Sequence, residues 1–257
     1  MSFLSLVSIE FKKLRRSKIL LIFAAAAVIL WLPSAVNVEL SFGMQAEGIS
    51  PENSFFIQGF LGVAWFMFPA SMVVGTVLLN QTERANHGIL KMLALPVDAG
   101  KLCLAKFAVL LALAAVQLLM MAGMYYLCAA VCSQTQNYSF WLPLSFVLRE
   151  IGLLFLSAIP MIAFFWMLSV CIISPIVSVD LGLVSIVPSI LMINTKLWFV
   201  YPMAYPFFVI TAEYGKLAEN LDMPRAEPIP WIPAAVLITV VCLSVSCLRF
   251  GHSSRNR

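Results

Sequence analysis

Two Gly-Lys pairs are the residues that come closest to phosphate-binding chemistry in this sequence. Gly100-Lys101 and Gly215-Lys216 are its only such pairs, and each is followed by leucine. A P-loop requires an earlier glycine and a following Ser or Thr, whose hydroxyl binds Mg²⁺ while backbone N–H groups hold the phosphates. Because both features are missing, the sequence predicts that this chain does not hydrolyse ATP itself.

Hydrolytic and metal chemistry are also poorly represented. His87 and His252 are too far apart for a zinc-protease motif, and no G-x-S-x-G elbow occurs. Asp180 has no second acid in a neighbouring apolar run to form an aspartyl site. Cys128 and Cys132 share a helical face, but no histidine or acid joins them as ligands. We therefore predict no catalytic residue, no metal and no cofactor.

The composition explains why such chemistry is scarce. Hydrophobic residues make up 62% of the chain and charged residues 11%, with a mean hydropathy of +0.97. Soluble domains have about a quarter charged residues, so this chain is an integral membrane protein. All six cysteines lie in or at the ends of apolar runs, which favours packing over disulfide bonds.

Six apolar runs are long enough to cross a bilayer, which requires roughly 20 residues. We predict an all-α fold of six transmembrane helices forming a single domain over residues 1–257. The runs cover residues 19–38, 60–79, 102–132, 144–173, 176–195 and 229–248. Pro33, Pro69, Pro160 and Pro188 are expected to interrupt spans, and Asp180 to favour the amino end of the fifth span.

The basic residues predict the orientation, because short loops rich in Lys and Arg stay in the cytosol. Placing both termini inside puts twelve of the sixteen basic residues in the cytosol. The location predicted from this bias is the bacterial plasma membrane.

Residues 1–18 form a basic amphipathic segment before the first span. Leu4, Val7, Phe11 and Leu14 fall on one helical stripe, which predicts an interfacial helix on the inner lipid surface. Such a helix acts either as a lever on the first span or as a simple anchor. A cleaved signal peptide is the alternative, although the apolar run exceeds the usual length of about 7 to 15 residues.

The segment 81–101 lies between spans two and three and has charged edges around an apolar middle. Ile89 to Leu95 cover a short helix after Gly88, and Pro96 ends it. A surface helix with this much exposed apolar area is expected to contact lipid or protein.

The pattern formed by Glu83, Gly88, Leu90-Lys91, Leu95-Pro96, Lys101 and Lys106 resembles the cytosolic loop of type-2 ABC exporter permeases. The resemblance covers the whole chain. Its short length and its opening, Glu10 to Arg16, are most similar to permeases of lantibiotic self-immunity and antimicrobial-peptide resistance.

The resemblance implies that the loop forms a coupling helix that docks into a separate ABC ATPase subunit. Two ATPase copies and a second permease, identical or different, would complete the complex, in contact with membrane lipid and without nucleic acid. In the alternative interpretation, the loop helix is simply interfacial with solvated flanks. The coupling residues implied are Glu83, Arg84, Gly88, Leu90, Lys91, Leu95 and Pro96.

Arg149 and Glu150 are ionisable residues inside the fourth apolar run, and such residues are candidates for function. They face either a substrate path or the paired subunit, unless the helix begins later, near Ile151.

The outer loop 197–228 begins with an aromatic stretch holding two Tyr-Pro pairs. Tyr201-Pro202 and Tyr205-Pro206 would break a straight helix twice, so we predict a re-entrant or interfacial outer element. The resemblance implies that such an element gates the exit; the alternative is an aromatic belt that anchors the loop.

Three functions remain open. The first is a permease that expels lantibiotic-type, amphipathic peptides, using ATP hydrolysed by its partner. The second is an exporter of drugs, lipids or another substrate. The third is a membrane sensor or scaffold that does not transport.

Overall fold

The computed structural model describes residues 3–14, 18–39, 42, 48–84, 98–217 and 228–252. Every regular element in these ranges is helical, which confirms the predicted all-α class. Six helical stretches within them are long and apolar enough to cross a bilayer, as the apolar runs predict.

The elements follow one another with short connections. They are α1 (Phe3–Leu14), α2 (Ile19–Val36), α3 (Pro51–Gly62), a π-helical turn (Val63–Met67), α4 (Phe68–Arg84), α5 (Ala99–Gln136), α6 (Leu144–Cys171), α7 (Pro175–Val184), α8 (Ser189–Met192), a 3₁₀ turn (Trp198–Val200), α9 (Ala204–Leu217) and α10 (Pro228–His252). The candidate spans are Ile19–Val36, Pro51–Asn80, Ala99–Gln136, Leu144–Cys171, Pro175–Met192 and Pro230–Phe250.

The second span starts before its apolar run. Pro51 occupies the first helical turn after the extended Ser50, where a missing N–H costs nothing. The span then changes to a π-helical turn, in which the N–H of Phe68 bonds to the carbonyl of Val63. Pro69 follows at once, and the wider turn accommodates a ring that would collide with the carbonyl of Trp65 in a regular α-helix.

The fifth span is divided. α7 ends at Val184, and α8 begins after a turn at residues 185–188 that contains Pro188. Pro33 and Pro160, in contrast, lie inside α2 and α6 without ending them. Asp180 is exposed in the second turn of α7, beyond the first turn that the prediction for this acid required.

An aromatic cluster joins α2, α3 and α5. The Trp31 ring centroid lies 5.6 Å from those of both Phe60 and Tyr125. Gly59 permits this packing, because a Cβ there would lie 2.4 Å from the Trp31 indole. The hydroxyl of Tyr125 donates to the carbonyl of Phe140 at 3.0 Å, which holds the α5–α6 connection against the cluster.

Burial is uneven among the spans. More than half of the second, third and fourth spans is buried, whereas most of the first, fifth and sixth is not. The middle spans therefore form the core, and the other three present apolar faces to their surroundings.

Candidate coupling and outer sites

The two helices on either side of the 81–101 loop hold it at a defined place. Glu83 and Arg84 belong to the last turn of α4. The loop resumes at Asp98, whose side chain caps α5 by accepting a 3.0 Å bond from the Gly100 N–H. The other implied coupling residues, Gly88, Leu90, Lys91, Leu95 and Pro96, lie outside the described residues.

α4 is fastened to α6 one turn before it enters the loop. The buried Asn80 amide donates to the Ser169 carbonyl at 2.5 Å and to its Oγ at 3.1 Å. The Ser169 hydroxyl in turn donates to the carbonyl of Thr76 at 3.2 Å. A buried amide with these acceptors orients the helices, because any displacement would leave polar groups unsatisfied in an apolar surrounding.

α5 is fastened to the same end of α6. The Trp166 indole N–H donates to Cys103 Sγ at 3.3 Å. Farther up the helix, Cys128 and Cys132 approach the carbonyls of Trp31 and Ala35 at 3.7 Å, so this pair packs α5 against α2. Both helices that flank the loop therefore contact the carboxyl-terminal turns of α6.

A buried ion pair connects α1 with the beginning of α5. Lys106 Nζ lies 2.7 Å from Glu10 Oε2, and each side chain is only 1% exposed. Lys13 approaches the other Glu10 oxygen at 2.6 Å. This arrangement corrects part of the predicted stripe on α1: Leu6, Glu10 and Leu14 are buried, whereas Leu4 and Phe11 are exposed. The acid faces inward because its partner Lys106 does.

At the opposite end of the core, four charged residues gather between α6 and α9. α6 begins at Leu144, so Arg149 and Glu150 lie within it rather than before it. Arg149 Nη2 lies 3.9 Å from Glu213 Oε2 and its Nε 3.6 Å from Glu150 Oε1. Lys216 Nζ bonds to Glu213 at 2.7 Å. Glu150 is buried, and neither of its oxygens has a hydrogen-bond donor among the described residues.

The two Tyr-Pro pairs do not break one helix twice. The chain turns at residues 201–203, and Pro206 sits in the first turn of α9, where proline is tolerated. The Tyr201 hydroxyl donates to the carbonyl of Ser185, between the two halves of the fifth span, and that of Tyr205 to the carbonyl of Phe199. Pro202, Tyr205 and Pro206 are all buried.

Three features escaped the sequence patterns. The Glu10–Lys106 pair could have been suspected from a lysine inside an apolar run, but its partner is 96 residues away. The bond from Asn80 to Ser169 joins residues 89 apart. Glu213 appeared only as one acid of an outer loop, and its approach to Arg149 depends on how α9 folds back.

The comparisons were made on the whole chain. A family model described as ABC-2 family transporter protein matches residues 6–189. This stretch begins in α1, includes the first four spans and ends in the fifth, with the loop and both fastened helices inside it. No curated protein and no solved structure matches the chain significantly.

Proposed function

Since this chain belongs to the ABC-2 family of transporter proteins, we propose that it is a permease subunit that expels lantibiotic-type antimicrobial peptides from the membrane. Family membership implies an ABC ATPase partner. The finer parts of the proposal are two ATPase copies, a second permease, a bacterial plasma membrane and cytosolic termini.

The attachment of both loop-flanking helices to α6 is the observation on which the mechanism rests. A force applied to the loop by an ATPase would reach Asn80 through α4 and Cys103 through α5. Both paths end at Ser169 and Trp166, three residues apart and so on one face of α6. Movement of the loop would therefore tilt or shift α6 rather than dissipate within the loop.

At its other end α6 contacts the outer segment. Glu213 of α9 approaches Arg149, and Tyr201 bonds to the middle of the fifth span. These two contacts support a re-entrant exit gate formed by residues 198–217, with Arg149, Glu150, Tyr201, Pro202, Tyr205 and Pro206 on or beside the path. In this arrangement α6 transmits motion from the loop to the gate.

A cationic peptide is the substrate that the charge distribution favours. Eight of the twelve acidic residues lie outside in the predicted orientation, and they raise the local concentration of cations. Glu150 adds a buried carboxylate without a hydrogen-bond donor among the described residues, close to where the gate meets α6.

Reconstitution with the ATPase encoded beside this chain tests the proposal. We expect Glu83→Gln and Gly88→Pro to lower copurification of the ATPase and to reduce nisin tolerance of cells about tenfold. Gln134→Ala, at the other end of α5, is the matched control. Normal ATPase association with unchanged nisin tolerance in both variants would remove the coupling assignment. Coupled hydrolysis that nisin does not stimulate would leave the permease but reject the peptide substrate.

A further inference from the structure

A membrane-facing groove of about 440 Å³ lies between α6 and α10. Its volume is within the range of small-molecule sites, about 300 to 1,000 Å³. Ser157 and Thr239 line it, but each hydroxyl already donates to a carbonyl of its own helix, at 2.9 and 2.7 Å. The groove therefore offers an apolar ligand a surface with little polar demand.

The groove follows the helix axes. Leu153, Leu156 and Pro160 line it from α6, and Ile232, Val236 and Val240 from α10. These spacings of three and four residues place each set on one helical stripe. Tyr205 and Trp231 belong to the lining at the amino-terminal end of α10, which faces outward in the predicted orientation.

The cationic residue at the rim is Arg149, one helical turn before Leu153 on the same stripe. Its side chain is 56% exposed, and its contacts to Glu150 and Glu213 at 3.6 and 3.9 Å exceed hydrogen-bond length. Lys216 is 61% exposed, whereas both acids are at least nine-tenths buried. The acids thus lie underneath, and the surface beside the groove is positive.

We propose that this groove binds one anionic phospholipid, with an acyl chain between α6 and α10 and the phosphate at Arg149. An apolar channel with a cation at one end matches an amphiphile that has a single anionic head. Trp231 supports this match, because its indole N–H has no acceptor among the described residues and would serve an ester carbonyl. A second copy of α10 would offer Arg149 no anion, since its sequence from Pro228 to Cys247 contains no acid.

Photolabelling in nanodiscs tests the site on the full-length chain. The bilayer is phosphatidylcholine with phosphatidylglycerol, and one or the other lipid has a diazirine on its acyl chain. We expect phosphatidylglycerol to label residues 153–160 and 231–240 in preference to phosphatidylcholine. Arg149→Gln should lower this preference about fivefold, since a basic residue near a headgroup contributes about 1 kcal/mol. Lys196→Gln, another exposed cation, should leave the preference unchanged.

A filling variant controls for general loss of charge. Ala235→Phe places a ring in the groove and should abolish labelling there by both lipids, with thermal unfolding showing that the chain still folds. Equal labelling by the two lipids, or an unchanged preference in Arg149→Gln, would overturn the proposal. So would a groove that neither lipid labels and that cross-links to a second copy through Ala235→Cys. The result does not depend on peptide export, because no peptide or ATPase is present.

Discussion

Lys106 of α5 donates a 2.7 Å hydrogen bond to Glu10 of α1, and both side chains are buried away from solvent. The pair places the amino-terminal helix against the span that leaves the coupling loop. Two opposite charges removed from water are tolerated only while each retains its partner.

We predict that breaking this pair costs more than removing it. Glu10→Gln or Lys106→Met should each lower the free energy of unfolding by about 3 to 5 kcal/mol, because one charge is left unpaired and buried. The double variant should be more stable than either single variant, with Lys13 remaining exposed to solvent at 39%. Thermal unfolding in detergent measures all three. If the two single effects simply add in the double variant, the residues are not coupled.

We predict that Asn80→Leu separates the loop from α6 without preventing assembly. The variant loses both bonds to Ser169, and membrane hydrogen bonds of this kind are worth about 0.6 to 2 kcal/mol. ATPase copurification should persist, while nisin tolerance falls. Thr135→Ala removes a hydroxyl that bonds within its own helix and serves as the control. Unchanged tolerance in Asn80→Leu would show that this contact does not transmit motion.

We predict that Gly182→Ala forces α7 away from α4. A Cβ at residue 182 would lie 2.7 Å from Val73 Cγ1, closer than real contacts permit. The unfolding temperature should fall, and Val73→Ala in the same chain should restore part of it. Gly123 and Gly152 are matched controls, since nothing lies within 4 Å of a Cβ at either position. Alanine there should be neutral or stabilising. An equal loss at all three glycines would contradict close packing as the cause.

We predict that Tyr138 ionises late. Its hydroxyl donates to the Glu52 carboxylate, and this bond raises the pKa of Tyr138 from 10.0 to about 12, with burial adding to the effect. Because the folded pKa exceeds the unfolded one, the stabilisation is complete below about pH 10 and is lost as pH rises through about 12. A phenolate difference titration of wild type against Tyr138→Phe measures it. A difference curve centred near pH 10 would contradict the contact.

The sequence predicts the spans well and their mutual contacts poorly, for a physical reason. Apolar runs must cross the bilayer as helices, since every backbone group has to be bonded internally. Local pattern therefore suffices for the number and class of spans. It fails at Glu10, which belongs to the polar side of the predicted α1 stripe yet is buried because Lys106 lies opposite.

The outer segment shows the same division. Prolines at 202 and 206 signal an irregular chain, but proline is equally compatible with a turn and with the first turn of a helix. Only the tertiary contacts of Tyr201 and Glu213 determine that a turn precedes α9 and that the helix lies against α6.

The π-helical turn at Val63–Met67 adds one residue to the winding of the second span. One residue corresponds to about 100° of azimuth in an α-helix. If that turn rewound to regular geometry, everything cytosolic to it would swivel by that amount, taking Val73 off Gly182 and Asn80 off Ser169. The span therefore contains its own swivel joint, and the loop beyond it is the handle by which an attached motor would turn it.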